Sequence, residues 1–302
     1  MSDNIDRNNF CPCCLKLNAN IMWGIISPFL AQRAILTPPF PVKILSCLEC
    51  GFRWSVRGLS TEEVRRLYDG YRGEAYFSER NSLEPWYTRS CNHGLGSEHI
   101  MANRRKDLLE LLISCSVSAD DIGYVIDHGG DRGQMLKEFK NAQKFVFDLS
   151  GVEPDAGVER LHALEDGIAS ADLVLNCHVL EHMPDPRQGL MESIALVRQG
   201  GFIYVEVPNE IWKGPFQPPF QKKWLEILCT HPSILKWADF FCTATRIKTG
   251  WIPPLGFVAI REHLNYFTLT SLSLMMSACR LRVLICKKSS TGNLTALGQK
   301  LE

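Results

Sequence analysis

Short apolar runs alternate with amphipathic stretches through the second half of the chain. The apolar runs occupy residues 122–127, 144–148, 171–177 and 201–207, and helical stretches at 133–140 and 187–199 lie between them. A β-α-β-α order with nearly all-apolar strands is typical of a parallel sheet that helices cover on both faces. We therefore predict an α/β, doubly wound, Rossmann-like sheet that binds its ligand at the carboxyl ends of the strands.

An amphipathic helix is predicted from Glu98 onward, ahead of the first strand. Its apolar side contains Ile100, Leu108, Leu109, Leu111 and Leu112, and its polar side contains Arg104, Arg105, Lys106 and Glu110. This spacing predicts a helix that packs on the sheet.

Proline-rich stretches divide the chain into parts, because proline interrupts regular structure. We predict a cysteine-rich module at residues 1–58, a connector at 59–98 and the α/β domain at 99–302, with an insertion at about 210–256. The insertion is rich in aromatic residues, namely Trp212, Phe216, Phe220, Trp224, Trp237, Phe240, Phe241 and Trp251. We interpret it as a helical cap over a substrate cleft, the alternatives being a plain cover of the sheet or a homodimer face.

The charge balance limits the classes of partner. Thirty-three basic residues balance thirty-three acidic ones, so no net field attracts nucleic acid or an anionic membrane at long range, and a small-molecule acceptor is favoured. The first thirty residues do not have the basic-then-apolar order of a secretory signal, and no stretch is apolar enough to span a bilayer. We expect a cytoplasmic protein whose twelve cysteines are reduced thiols and metal ligands.

Two Cys-x-x-Cys pairs lie in the N-terminal module. Cys11 and Cys14 form the first pair, and Cys47 and Cys50 form the second. Four thiolates match tetrahedral Zn²⁺, and a complete sulfur shell makes such a zinc structural rather than catalytic. Free thiols and a redox pair are the alternatives, and Cys13 is a spare thiol that could replace a ligand.

A glycine-rich turn follows the first predicted strand. Asp127 is followed by Gly129, Gly130 and Gly133 before the chain becomes helical. Glycines suit a loop that approaches a ligand closely, and a helix N-terminus favours a negative group such as a carboxylate; a plain tight turn is the alternative. The second strand ends in Asp148, at a spacing at which an acidic side chain can bind both hydroxyls of a ribose, or can instead cap a turn.

These blocks, together with ADLVLNCHVLEHMPDP at 171–186 and GGFIYVEVPN at 200–209, resemble in order the signatures of class I methyltransferases. The resemblance implies S-adenosylmethionine as cofactor. It also implies that Asp127 and the three glycines line the methionine end, and that Asp148 holds the ribose. The strand-end residues Asn176, Cys177 and His178 would border the sulfonium, and residues 164–166 would reach the adenine.

The C-terminal block REHLNYFT at 261–268 precedes a helical segment to Cys279 and a last predicted strand at Leu281 to Cys286. It is similar to the closing part of sugar-modifying and polysaccharide-modifying methyltransferases, some of which carry a zinc-binding leader. The resemblance covers about half of the chain and implies a sugar or nucleotide sugar as the acceptor. One departure concerns Asp131, which replaces a glycine of the family's loop.

Histidine is the natural base for a hydroxyl acceptor. The candidates, in order of preference, are His263, His182 and His178. Two other functions fit parts of the pattern. A nicotinamide-dependent oxidoreductase also uses a glycine turn and a ribose-binding acid, and a non-catalytic member of the methyltransferase fold would explain Asp131.

Overall fold

The computed structural model describes residues 10–94, 96–214 and 217–301. Phe216, one of the aromatic residues of the predicted insertion, lies outside them. The strands are β1 (Ala19–Ile26), β2 (Pro41–Cys47), β3 (Arg53–Ser55), β4 (Tyr124–His128), β5 (Gln143–Phe147), β6 (Glu159–Arg160), β7 (Ala171–Cys177), β8 (Val197–Val207), β9 (Ala259–Ile260), β10 (Asn265–Tyr266), β11 (Leu281–Lys288) and β12 (Leu294–Lys300). The α-helices are α1 (Pro28–Leu30), α2 (Thr61–Tyr68), α3 (Glu74–Leu83), α4 (Arg89–Gly94), α5 (Glu98–Ser114), α6 (Pro186–Leu196), α7 (Gln221–Cys229), α8 (Pro232–Thr249) and α9 (Leu269–Ala278).

A seven-stranded sheet forms the centre of the predicted α/β fold, in the order β6-β5-β4-β7-β8-β12-β11. The strands from β4 to β8 pair in parallel, whereas β12 is antiparallel to both β8 and β11. The doubly wound, Rossmann-like prediction is confirmed, but the sheet is mixed rather than wholly parallel. The predicted last strand is followed by β12, which inserts between β11 and β8.

Both faces of this sheet are buried, as the apolar runs predict. On one face, Val174 and Ile203 pack with Leu190 of α6 and Met275 of α9. On the other face, β4, β7 and β8 contribute to a second cluster that includes Leu108 of α5. Helices therefore cover the sheet on two sides, which leaves the carboxyl ends of the strands for function.

The polar side predicted for α5 is partly wrong. Leu108, Leu111 and Leu112 are buried as predicted, but Ile100 is exposed and Arg105 is buried. The Arg105 guanidinium can lie inside because it donates hydrogen bonds to the Glu98 and Glu138 carboxylates and to the Gln134 carbonyl. A long basic side chain buries its stem where its charged end finds partners.

Two other predicted helices are shorter than expected. The stretch 133–140 contains only a 3₁₀ turn at Gln134–Glu138, and the helix predicted at 187–199 ends at Leu196 because β8 begins at Val197.

A second sheet has five strands in the order β10-β3-β2-β1-β9. Three of its strands belong to the N-terminal region, and β9 and β10 come from residues 259–266. Phe52 and Trp54, at its inner end, belong to the same apolar cluster as Phe267 and Met275. The two sheets therefore share one core.

Helices α7 and α8 lie within the region predicted as an insertion. Leu225 of α7 and Leu235 of α8 pack with Ile25 of β1 and with Phe257, so the hairpin covers the five-stranded sheet. Among the described residues, every helix is too short or too polar to cross a bilayer.

Candidate active site

The glycine loop turns toward the end of the neighbouring strand. The Gly129 amide donates to the Phe147 carbonyl over 2.7 Å, and the Asp131 amide donates to the Asp148 carboxylate over 2.8 Å. The other Asp148 oxygen accepts from the Ser150 amide. The loop after β4 and the carboxylate after β5 therefore meet at one edge of the sheet, where the sequence places both of them.

Positive φ angles occur at three positions of this loop. Gly129 and Gly133 have φ of 77° and 79°, and Asp131 has φ of 54°. A Cβ on Gly129 would lie 2.4 Å from Val179 Cγ2, so this glycine is required by close packing against the turn that follows β7. The Asp131 carboxylate accepts a hydrogen bond from Gln134 Nε2 over 3.2 Å. This contact directs the extra acid along the loop.

Asp127, at the carboxyl end of β4, is 1% exposed. Neither of its carboxylate oxygens has a hydrogen-bond partner among the described residues. Burial, opposed by Arg104 but aided by the charges of Asp148, Asp131 and Glu206, raises the pKa of Asp127 to about 7. A Cβ on Gly130 would lie 2.2 Å from Asp127 Cγ, so only glycine lets the loop pass over this carboxyl group.

The predicted residues at the end of β7 occupy different environments. Asn176 is buried and donates to Ser193 Oγ, while its own Oδ1 lacks a partner among the described residues. Cys177 is buried, and burial raises the pKa of its thiol. His178 has φ of 59°, and its Nδ1 lies 3.1 Å from the Glu181 carboxylate.

A network around Glu206 holds the other nitrogen of His178. Asn293 Nδ2 donates to Glu206 over 2.6 Å and lies 3.2 Å from His178 Nε2, while the Arg104 guanidinium donates to both Glu206 oxygens. Burial disfavours the imidazolium form, but hydrogen bonds with Glu181 and Glu206 outweigh it and raise the pKa of His178. His178 is thus held in a fixed position by contacts at both ring nitrogens.

His182 and His263 come together although they are far apart in sequence. Their ring centroids are 4.7 Å apart, and one ligand atom from each of them and from Glu181 lies within 4.8 Å of the others. One Glu181 oxygen is buried without a hydrogen-bond partner among the described residues. Glu181 and His182 belong to the same turn as Val179, which packs against Gly129 of the glycine loop.

The protonation states of the two histidines differ. His182 Nδ1 lies 3.0 Å from the Glu262 carbonyl and 2.9 Å from the Tyr68 hydroxyl oxygen. Because a carbonyl only accepts, the proton of neutral His182 is assigned to Nδ1, which leaves the Nε2 lone pair free. Burial lowers the pKa of His182. The negative charge of Glu181 opposes this shift, and the positive charge of His263 adds to it.

His263 has the opposite character. Its Nδ1 lies 2.7 Å from a Glu210 carboxylate oxygen. Burial disfavours the charged ring, but Glu210 outweighs burial and raises the pKa of His263 to about 9. At neutral pH the site therefore contains one neutral histidine and one imidazolium side by side.

The side chain of Glu262 is held by residues of α3. Arg80 donates to its carboxylate over 2.6 Å, and the Tyr76 hydroxyl makes a short hydrogen bond to the same oxygen. Burial opposes its ionisation, but Arg80, His182 and Tyr76 outweigh burial and lower the pKa of Glu262 to about 2. This carboxylate stays ionised and fixes the backbone that orients His182.

Several of these groups were not predicted as site residues, namely Tyr68, Tyr76, Arg80, Glu181, Glu206, Glu210 and Glu262. Glu181 and Glu262 lie inside the motifs that carry the resemblance, next to predicted histidines. Tyr68 and Tyr76 belong to the aromatic connector. Proximity to the predicted histidines along the chain could have indicated Glu181 and Glu262. The tyrosines reach the site only through the tertiary fold.

Residues 164–166, predicted near the adenine, fall in a 3₁₀ helix at Leu164–Gly167. Leu164 is partly buried against the apolar cluster of the sheet. Gly167 packs against Ile126 and Leu161, so this turn is fixed to the core near β4.

The four predicted cysteine ligands converge in the N-terminal region. Cys11 and Cys50 sulfurs are 3.5 Å apart, as are those of Cys14 and Cys47, and all four lie within 4.8 Å of one another. Cys13 is buried beside this group but is not one of the four. Hydrogen bonds from Cys13 and Cys50 lower the pKa of Cys11, whereas burial raises the pKa of Cys14 to about 11, so a thiolate is favoured at Cys11.

Residues 100–284 match the family described as a methyltransferase domain, which is more than half of the 302 residues. No curated protein matches the chain. Among solved structures, it is similar to the 1,6-didemethyltoxoflavin-N1-methyltransferase of Burkholderia thailandensis, with 15% identity, a TM-score of 0.43, and coverage of 74% of this chain and 90% of that one. It is also similar to human N-acetylserotonin methyltransferase, with 14% identity and a TM-score of 0.43. The match covers 76% of this chain and 60% of that one.

The strand order of the seven-stranded sheet differs from that of a nicotinamide-dependent oxidoreductase, one of the alternatives left open by the sequence. A nicotinamide-binding sheet has six strands in the order 3-2-1-4-5-6. Here the antiparallel β12 lies between the positions of the fifth and sixth strands. Because the family model matches more than half of the chain, the chain belongs to the methyltransferase-domain family, and the prediction of a class I methyltransferase is confirmed.

Proposed function

We propose that this protein transfers a methyl group from S-adenosylmethionine to a small polyhydroxylated acceptor, a sugar or a nucleotide sugar. The observation that carries the proposal is the pairing of a neutral His182 with a charged His263, where His182 follows the turn whose Val179 packs against the glycine loop. Such a pair can accept a proton from a hydroxyl group and donate a hydrogen bond to a neighbouring oxygen.

The cofactor residues fit a ligand with an amino group and hydroxyl groups. The unpartnered carboxylate of Asp127 would pair with the methionine ammonium group, and a cation there would restore its ionised form. Asp148 would accept from the ribose hydroxyls, with Gly129, Gly130 and Gly133 giving close backbone approach. The unpartnered Asn176 Oδ1, with Cys177 and His178, would border the reacting end.

The acid–base work is divided between two histidines. S-adenosylmethionine supplies an activated methyl group, so positioning of the acceptor accounts for most of the rate. His182 Nε2 would accept the proton of the acceptor hydroxyl, whose oxygen would take the methyl group as the carbon–sulfur bond breaks and its electron pair returns to sulfur. His263, which the sequence ranks first, instead donates a hydrogen bond from its imidazolium to an adjacent acceptor oxygen. His178 is a positioning residue, held by Glu181 and Glu206.

A sugar acceptor is supported by the polarity of this side of the site. Tyr68, Glu181, Glu210 and the histidines offer donors and acceptors at fixed positions, which suits a molecule with several hydroxyl groups. The REHLNYFT block that supplies His263 also carries the resemblance to sugar-modifying enzymes.

Zinc is proposed for the cysteine cluster. Four sulfurs that already lie within 4.8 Å of one another need only small adjustments to form a tetrahedral shell with metal–sulfur distances of about 2.3 Å. All four positions would be filled by protein, so the ion would be structural.

The test combines cofactor binding with product formation. Calorimetry with S-adenosylmethionine is followed by incubation of the labelled cofactor with a panel of nucleotide sugars. His182→Gln should lower kcat by about 10² to 10⁴ while leaving cofactor affinity unchanged, and His231→Gln, an exposed histidine of the α7–α8 connection, should have no effect. The pH profile of kcat/KM should have an acid limb below 6.5 from His182 and a basic limb near 9 from His263.

The outcomes separate the alternatives. Cofactor binding without methylation of any sugar in the panel would contradict the sugar acceptor. Absence of binding would favour the non-catalytic member of the fold. Full activity in His182→Gln would remove His182 from the chemistry.

A further inference from the structure

The outer face of α8 exposes a continuous apolar stripe. Ile234, Trp237 and Phe241 follow one another at helical spacing, and Phe240 and Ile247 widen the stripe. Trp237 is 64% exposed, Phe241 61% and Ile247 70%. Monomeric soluble proteins rarely expose such contiguous apolar surface unless something binds it.

This stripe is separate from the packing of the hairpin on the protein. Leu235 and Cys242, on the opposite side of α8, are buried against Ile25 and Phe257. The helix therefore has two apolar faces, one in the core and one in solvent. Core packing explains only the first.

The charges next to the stripe have one sign. The single acid of α8, Asp239, is buried and paired with Arg261. The acid of α7, Glu226, pairs with Lys222. Lys223 and Lys248 remain exposed on the hairpin, and Lys236 is partly buried with its ammonium group donating to the Ser82 carbonyl, although the whole chain is electrically neutral.

We propose that the outer face of α8 binds an anionic lipid bilayer surface, with the aromatic stripe in the interface and the lysines at the headgroups. Exposed Trp and Phe side chains beside lysines are the composition of helices that lie in the membrane plane. Attraction to anionic lipid acts within a Debye length, so the local cations matter and the zero net charge does not.

The charge pattern argues against a second copy of the chain as the occupant. An antiparallel pairing of two α8 helices would bring Lys236 and Lys248 of one copy beside those of the other. Among the described residues of this face, neither copy has a free acid to compensate. An anionic bilayer satisfies both the apolar and the cationic part of the surface, and this conclusion is independent of the acceptor.

The test is co-sedimentation of the full-length protein with vesicles of phosphatidylcholine alone and of phosphatidylcholine with phosphatidylglycerol. We expect binding to the anionic vesicles, weakened by salt, and little binding to the neutral ones. The double variant Trp237→Ser, Phe241→Ser should abolish binding. The matched control is Ile113→Ser, an equally exposed apolar residue of α5 (70% exposed), which should bind as the native protein does.

Charge variants keep the test decisive if the double variant fails to fold. Lys223→Gln and Lys248→Gln should each weaken binding about fivefold, the factor expected for one basic residue near an anionic surface. Absence of binding to anionic vesicles, or binding that the stripe variants leave unchanged, would overturn the proposal. A native dimer that the stripe variants convert to monomer, without vesicle binding, would overturn it in favour of a second copy.

Discussion

The two sheets of this protein are assembled in different ways, and the site lies where they meet. The strands from β4 to β8 of the seven-stranded sheet follow one another along residues 124–207, whereas the five-stranded sheet joins residues 19–55 to residues 259–266. His182 follows β7 of the first sheet. His263 lies in the link between β9 and β10 of the second.

Backbone contacts fix the relative position of the two histidines. The Glu181 carbonyl accepts from the Leu264 and Asn265 amides, and Asn265 Nδ2 donates to the Leu180 and Met183 carbonyls. The seven-stranded sheet thus supplies the glycine loop and the neutral histidine. The five-stranded sheet supplies the charged histidine. Substitutions in the two sheets should therefore change different properties of the protein.

The largest expected effect is on the five-stranded sheet. Cys11→Ser combined with Cys47→Ser should remove the proposed zinc, and with it a metal-binding contribution to folding of about 10 kcal/mol. Metal analysis should change from one zinc per chain to none, and thermal unfolding should show early loss of the N-terminal region.

Two single variants control this result. Cys91→Ser, at an exposed cysteine of α4, and Cys13→Ser should both retain one zinc per chain. A native protein that contains no metal would contradict the zinc proposal, and loss of zinc in Cys13→Ser would change the ligand set.

A buried ion pair provides the next largest effect. Arg261 donates to Asp239 of α8 over 2.6 Å and to Glu84 over 2.6 Å, and all three side chains are buried. Arg261→Met should cost about 3 to 5 kcal/mol, because it leaves the buried Asp239 carboxylate without a cation, whereas Glu84 keeps its pair with Arg80. Urea unfolding measures the loss.

The matched control removes an exposed arginine. Arg65 pairs with Glu62 at the surface of α2, and Arg65→Met should leave the unfolding midpoint unchanged. Equal stability of Arg261→Met and the native protein would show that the five-stranded sheet and α8 do not depend on this pair.

The contrast between the sheets also explains what the sequence could predict. The apolar runs of β4, β5, β7 and β8 are local patterns, and their motifs place Asp127 and Asp148 at one edge. The two Cys-x-x-Cys pairs likewise identify four sulfurs that converge. A strand of two residues such as β9 or β10 has no periodicity to detect, because its existence depends on partners more than 200 residues away.

The same reason limits prediction of the acid–base groups. The sequence identified His182 and His263 and ranked His263 first, but it could not predict their protonation, because this follows from Glu210 beside His263 and from the Glu262 carbonyl beside His182. Antiparallel β12 was missed because the predicted parallel alternation gives no reason to expect a returning strand.

In the seven-stranded sheet, Asp127 should make stability depend on pH. Its pKa is raised from 3.8 to about 7 in the folded protein, so the folded state binds more protons than the unfolded state between these values, and its stability falls as pH rises through them. The difference corresponds to about 4 kcal/mol. Asp127→Asn should therefore be more stable than the native protein at pH 8 and equally stable near pH 3.

Cofactor binding sharpens this experiment, because Asp127→Asn should also lose affinity for S-adenosylmethionine. Urea unfolding at several pH values measures the gain in stability of Asp127→Asn, and calorimetry measures its loss of cofactor affinity. A variant with native pH dependence of stability would contradict the burial of an unpaired carboxyl group at this position.

The smallest effect concerns Asp131, the acid that replaces a family glycine. Its charge adds to those that raise the pKa of Asp127, and it would repel the methionine carboxylate. Asp131→Asn removes the charge while keeping a residue that tolerates positive φ, and Asp131→Gly also removes the Cβ. Each should tighten cofactor binding about fivefold, for an electrostatic contribution of about 1 kcal/mol. If only Asp131→Gly binds the cofactor more tightly, the effect comes from backbone freedom. If neither variant changes cofactor affinity, the carboxylate, held by Gln134, lies too far from the cofactor to matter.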